Sequence, residues 1–93
     1  MNFRLLETAQ REFEEAVQYY NAESPGLGYE FADEVYRGFE RIRTNPEAWQ
    51  RLSKQTRRCI TRRFPFGIIY QQKDNTILVL RVKTRLDFPK LLA

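Results

Sequence analysis

Four arginines, Arg57, Arg58, Arg62 and Arg63, crowd into the stretch Thr56 to Gln72, TRRCITRRFPFGIIYQQ. A guanidinium stays charged at any physiological pH and meets a phosphate or carboxylate through two parallel hydrogen bonds, so this stretch is equipped to hold an acidic polymer. The residues between the arginines spell a β-hairpin: a β-rich run to Phe64, a turn at Pro65-Phe66-Gly67, then Ile68-Ile69-Tyr70. Strand alternation predicts Arg58, Ile60, Arg62 and Phe64 on one face and Arg57, Cys59, Thr61 and Arg63 on the other. Both faces then carry arginine, and at least one must be wet and strongly positive.

Enzymatic machinery is sparse by comparison. Histidine is absent, which removes the commonest general acid-base group and the commonest metal ligand. Cys59 is the single cysteine and reads as a small core hydrophobe rather than a reactive thiol. No metal-ligand spacing, glycine-rich phosphate loop or nucleophile elbow occurs, so no metal and no cofactor is expected. A nuclease mechanism is still open to such a chain if arginines stabilise a pentavalent phosphate while a tyrosine, lysine or carboxylate shuttles protons.

The elements that must position these side chains are legible from periodicity. Phe3 to Leu6 is a short apolar strand, and Thr8 offers an N-cap to a helix reaching about Ala22. Its stripe is Ala9, Phe13, Ala16, Val17 and Tyr20. Ser24-Pro25-Gly26 ends it, and a second helix follows with Leu27, Phe31, Val35, Phe39 and Ile42 on one side, stopped by Asn45-Pro46. The link is short enough to make an antiparallel helical hairpin. Glu47 to Leu52 reads as a helical turn or loop anchored by Trp49 and Leu52. After the basic hairpin, Lys73-Asp74-Asn75 forms a tight turn into a last strand, Thr76 to Lys83. Leu78, Leu80 and Val82 form its wholly apolar face, which is expected to meet the helices and so to send Arg81 and Lys83 to the open face. The order is β-α-α-β-β-β, an α+β fold whose last three strands make an antiparallel meander.

Ninety-three residues suffice for one domain, 1–93, in which 84–93 is expected to be a tail. There is no disulfide framework, signal peptide or apolar run long enough to span a membrane, so a cytoplasmic location is expected. The net charge of +4 conceals a division: residues 1–50 hold five basic and ten acidic residues, whereas 51–93 hold eleven and two. An acidic helical layer against a basic sheet layer is expected, with the open sheet face attracting an acidic partner. Arg58, Arg62, Arg81, Lys83 and Arg85 are its candidate target-binding residues, joined by Phe88 and Lys90 of the tail.

Several segments together resemble the ParE/RelE superfamily of type II toxin–antitoxin toxins. They are Ala16-Val17-Gln18-Tyr19-Tyr20, Ser24-Pro25-Gly26-Leu27-Gly28, Phe31-Ala32-Asp33-Glu34-Val35, Asn45-Pro46-Glu47-Ala48-Trp49, and Arg62 through Tyr70. The resemblance covers roughly residues 3 to 83, and the tyrosine pair, the PGLG turn, the NPEAW stretch and the RRFPF run are most like the ParE branch. The resemblance implies a toxin that inhibits DNA gyrase and is neutralised in a hetero-oligomer by a cognate antitoxin, whose acidic or amphipathic C-terminal segment would cover part of the basic sheet and an apolar helix groove. Phe13, Tyr20, Phe31, Val35, Arg57 and Arg63 are the antitoxin-binding residues expected on that basis. The alternatives it implies are a RelE-like mRNA interferase acting on the ribosome, in which Arg62, at the position of a cleavage arginine, would hold and polarise the scissile phosphate with Arg81 and Arg85, and a diverged toxin that keeps only antitoxin binding. No histidine or tyrosine follows Arg85, so the usual proton-transfer group of RelE-like members has no counterpart here.

Overall fold

The computed structural model describes residues 1–85. Its elements are β1 (Asn2–Leu5), α1 (Glu7–Glu23), α2 (Leu27–Thr44), β2 (Gln50–Arg51), β3 (Thr56–Ile60), β4 (Phe66–Lys73) and β5 (Thr76–Thr84). The strands form one sheet in the order β1-β5-β4-β3-β2, with β1 parallel to β5 and the other pairs antiparallel. The expected meander is therefore flanked by β1 on one edge and, on the other, by the two-residue β2 within the stretch expected to be a helical turn or loop. Phe88 and Lys90, expected to bind the target, lie outside the described residues, and Thr84, the first residue of the expected tail, belongs to β5.

The helical hairpin follows the stripes. Ala9 and Phe13 of α1 are buried with Phe31, Val35, Phe39 and Ile42 of α2, while Ala16, Val17, Tyr20 and Leu27 pack around them half-buried. No side chain caps α1: Leu6 holds the N-cap position and Thr8 lies inside the helix, whose first turn instead carries Glu7 near the positive end of the dipole. Gly26 adopts φ 87°, the left-handed turn that lets α2 start at once. Gly28 then brings α2 against α1, donating its N–H to Asn21 Oδ1 at 2.8 Å. A Cβ at Gly28 would lie 2.2 Å from the backbone oxygen of Val17, so only glycine fits.

Beneath the hairpin the core is dense with rings. Phe31 meets Phe13, Phe64 and Phe66 at centroid distances of 6.0, 5.3 and 4.7 Å, and Phe3 of β1 tilts onto Phe39 at 5.1 Å. Cys59, Ile68, Tyr70, Ile77, Val79 and Val82 supply the sheet side of this core.

Two face assignments are corrected. β3 ends at Ile60 rather than continuing to Phe64, because Thr61 turns inward and ties the loop: its hydroxyl donates to Phe64 O at 2.5 Å and its N–H to Phe66 O at 3.0 Å. Phe64 therefore faces the core and not the face of Arg58. On β5 the helices meet Ile77 and Val79, while Leu78 and Leu80 are half-buried on the opposite side. Ile69 is paired with Arg81 and Tyr70 with Val79, which leaves Leu80 as the extra residue of a β-bulge. The bulge resets the alternation, so Val82 also points inward.

Because the clash at Gly28 involves backbone on both sides, relaxation is limited. Gly28→Ala should destabilise the fold by about 1–3 kcal/mol, read as a fall in urea midpoint with unchanged slope. Gly26→Ala, which meets no neighbouring atom but keeps an unfavourable φ, should cost about 1 kcal/mol.

Candidate macromolecule-binding surface

The expected cationic residues divide into those that meet the helices and those on the open face of the sheet. Arg81 belongs to the first group. Its Nε donates to both Glu12 carboxylate oxygens at 3.0 Å and its Nη2 to Oε2 at 2.5 Å. Oε1 also accepts the Val82 N–H at 3.0 Å. The cause is the sheet edge: β1 pairs with β5 only as far as Val79, so past that point a side chain from α1 takes the place of a strand. Hydrogen bonds from Glu12, more than their Coulomb attraction, push the Arg81 pKa above its already high value. Arg81 is thus a clamp between sheet and helix and not part of an open cationic face, a correction to the expectation from alternation.

Arg63 and Arg62 lie at the loop between β3 and β4, also against α2. Arg63 pairs with Glu30 at 2.5 Å, an exposed ion pair, and its guanidinium lies 5.1 Å from the Phe64 ring centroid. Arg62 gives its backbone N–H to Glu34 at 2.8 Å, and its side chain is exposed. The opposing charges of the two halves of the chain are thus partly a complementarity internal to the molecule.

The open face of the sheet keeps a smaller cluster. Gly67 is paired with Ile60 on one side and Lys83 on the other, and its missing side chain makes room for the stem of Arg58, whose Cδ and Cγ lie 3.1 and 3.2 Å from where a Cβ would stand. Arg58 is steadied by a 2.8 Å bond from Nη2 to Gln50 Oε1. Arg85 joins them from the end of β5, where its N–H reaches Pro65 O at 2.6 Å and tethers that end to the loop bearing Arg62. Arg58, Lys83 and Arg85, with half-buried Ile60, Ile69 and Leu80 beside them, make a mixed cationic and apolar surface. Sequence reasoning found the cations but missed Gly67, whose role as a space for Arg58 depends on strand register.

The apolar residues expected to greet an antitoxin are placed differently. Phe31 and Val35 are fully buried and Phe13 is 5 % exposed, so these three form the interior and not a groove. They read as a groove from sequence because a helix stripe does not show what covers it. Tyr20 is half-buried, its ring 4.9 Å from Phe64. The exposed aromatics are instead Tyr19, Tyr29 and Tyr36.

Arg57 faces the other way from Arg58. It donates to Trp49 O at 2.9 Å and is paired across the strands with Tyr70, which is buried and hydrogen-bonded to Pro46 O. Trp49 is packed against the core as expected, with its Nε1 donating to Arg41 O at 3.4 Å, whereas Leu52 is exposed and anchors nothing. Cys59 is fully buried, and burial pushes its thiol pKa up against the opposing pull of Arg41 and Arg62. It packs the core and is not poised for chemistry. Among the described residues there is no group of acidic or cysteine side chains that could hold a metal ion, and no helix is long and apolar enough to cross a membrane.

Residues 3–87 match the family described as the ParE toxin of the type II toxin-antitoxin system, parDE. The chain belongs to the ParE toxin family. A solved structure titled the chromosomal ParDE TA system from P. aeruginosa superposes with a TM-score of 0.79 at 16% sequence identity, covering 90% of this chain and 95% of that one. At that identity the likeness shows that this ParE-family toxin shares its fold with the solved protein. Comparison with curated proteins gives no match.

Two measurements check this geometry. Glu12→Ala should cost roughly 2 kcal/mol in urea denaturation, since it strips both Arg81 and the Val82 N–H of their acceptor; a change within about 0.3 kcal/mol would mean the clamp is replaced by water. Burial, opposed by Arg57, pushes the Tyr70 pKa up to about 12 from 10.0. The neutral hydroxyl thus stabilises the fold fully below pH 10 and loses that contribution as pH rises through about 12. Tyr70→Phe should flatten the alkaline loss of stability across that window.

Proposed function

We propose that this ParE toxin is neutralised by a cognate antitoxin and, once free, inhibits DNA gyrase by binding it without catalysing a reaction. The reading is supported by the family match across nearly the whole chain and by the open-face cluster of Arg58, Lys83 and Arg85, which is mixed in character like a protein-docking surface. The acidic or amphipathic antitoxin segment is taken to cover this same face together with Arg62, Arg63 and the exposed tyrosines of the hairpin, so that neutralisation and target binding compete. Binding by such a segment should weaken as salt rises.

Cleavage of mRNA on the ribosome is the weaker reading, for a specific reason. It would need Arg62, Arg81 and Arg85 together on a phosphate, yet Arg81 is committed to Glu12 through three hydrogen bonds. Releasing it would leave the carboxylate without its partner, which is costly at a half-buried position.

In a supercoiling assay, antitoxin-free protein should inhibit gyrase, and Arg58→Glu with Lys83→Glu should raise the concentration required by roughly tenfold or more, about 1.4 kcal/mol of lost binding. Unchanged gyrase activity with wild-type protein would overturn the reading. Site-specific mRNA cleavage during in vitro translation, lost in Arg62→Ala, would replace it with the interferase.

A further inference from the structure

A second group of cations sits on the opposite side of the sheet from Arg58 and Lys83. β2 pairs Arg51 with Arg57, and β3 pairs Arg57 with Tyr70. Residues directly opposite share a face, so Arg51 and Arg57 lie on the side to which Tyr70 is turned, as does Gln72 two positions along β4. That is the helix side, but α2 has already ended at Thr44, before it covers this corner. The result is an open cavity of about 210 Å³ whose lining includes Arg51, Lys54, Arg57, Thr56, Gln72 and the carboxylate of Glu47.

Three features make this a built site and not a solvated edge. First, three cations face one carboxylate, and among the described residues none of Arg51, Lys54 and Arg57 is in an ion pair, whereas Arg11, Arg37, Arg43, Arg63 and Arg81 each have one. Their mutual repulsion is left for an anion to relieve. Second, Arg57 is held in place by Trp49 O, so part of the cost of ordering it has been met in the fold. Third, the turn carrying Lys54 is fixed by Ser53, whose Oγ accepts the Gln55 and Thr56 N–H groups at 3.3 and 3.2 Å and bonds Thr56 Oγ1 at 2.6 Å.

We propose that the Arg51, Lys54 and Arg57 pocket binds a backbone phosphate of a nucleic acid, independently of the sequence of bases. The lining is polar throughout, so it offers an amphipathic peptide no apolar seat, whereas a phosphodiester needs only charge and donors. A guanidinium pair with one ammonium suits the planar and point-charge contacts that phosphates accept. This site lies away from the open-face cluster and does not depend on gyrase being the target.

The test is fluorescence anisotropy of the full chain with a short duplex DNA and, separately, a single-stranded RNA, titrated between about 50 and 200 mM salt. Arg51→Gln with Lys54→Gln, both exposed positions, should weaken binding several-fold and reduce the slope of log affinity against log salt by about 2, because two phosphate contacts are lost. Arg58→Gln with Lys83→Gln should leave that slope unchanged. Preference for one probe identifies the polymer. An equal loss in both variants would overturn the assignment in favour of diffuse attraction by net charge, and tighter binding of a poly-glutamate peptide of matched charge would overturn it in favour of an acidic protein. Circular dichroism of each variant excludes unfolding as the cause.

Discussion

The carboxylate of Glu12 serves two groups at an irregular point of the sheet. It closes the ion pair with Arg81 and takes the Val82 N–H just past the end of β1. Leu80 bulges at that point, so β5 can bury Ile77 and Val79 on one side of the irregularity and Val82 on the other. Without an acceptor there, the price of the bulge would be a stranded amide and a half-buried cation. The register of the last strand, and with it the placement of Lys83 and Arg85, depends on that acceptor.

This clamp also changes the meaning of the charge division along the chain. Part of the acidic excess of the helices is spent on the sheet, through Glu12 to Arg81, Glu30 to Arg63 and Glu34 to the Arg62 amide. The other basic residues of the sheet fall on two faces and not one. Arg58, Lys83 and Arg85 stand on the side away from the helices, where Gly67 makes room for the Arg58 stem. Arg51, Lys54 and Arg57 stand on the helix side, at the corner that α2 leaves uncovered. Lying on opposite sides of the sheet, the two surfaces stay sterically independent of each other.

The rigidity that keeps these surfaces apart comes from the aromatic interior. Phe31 touches rings from α1, the loop between β3 and β4, and β4, so helix and sheet cannot slide without breaking several edge-on contacts. Gly28 contributes by letting α1 and α2 approach to backbone contact. The hairpin thus acts as one slab, and the loop carrying Arg62 and Arg63 is held against it.

Periodicity and turn chemistry, which are local, made the order of elements, both helix stripes, the Gly26 turn, the Asn45 stop and the Asp74 turn legible in the sequence. Asp74 takes φ 57° as such a turn requires, and the set of motifs was enough to point to the ParE family. The inward face of β5 was not legible, because the alternation that exposes a strand's faces fails where a bulge inserts one residue. Nor was the division of the arginines: whether a helix carboxylate neutralises a guanidinium depends on contacts far apart in the chain, as with Glu12 and Arg81, 69 residues from each other. Burial of Phe13, Phe31 and Val35 was decided in the same way, since a stripe specifies which side of a helix is apolar but only the packed sheet determines whether a partner can reach it.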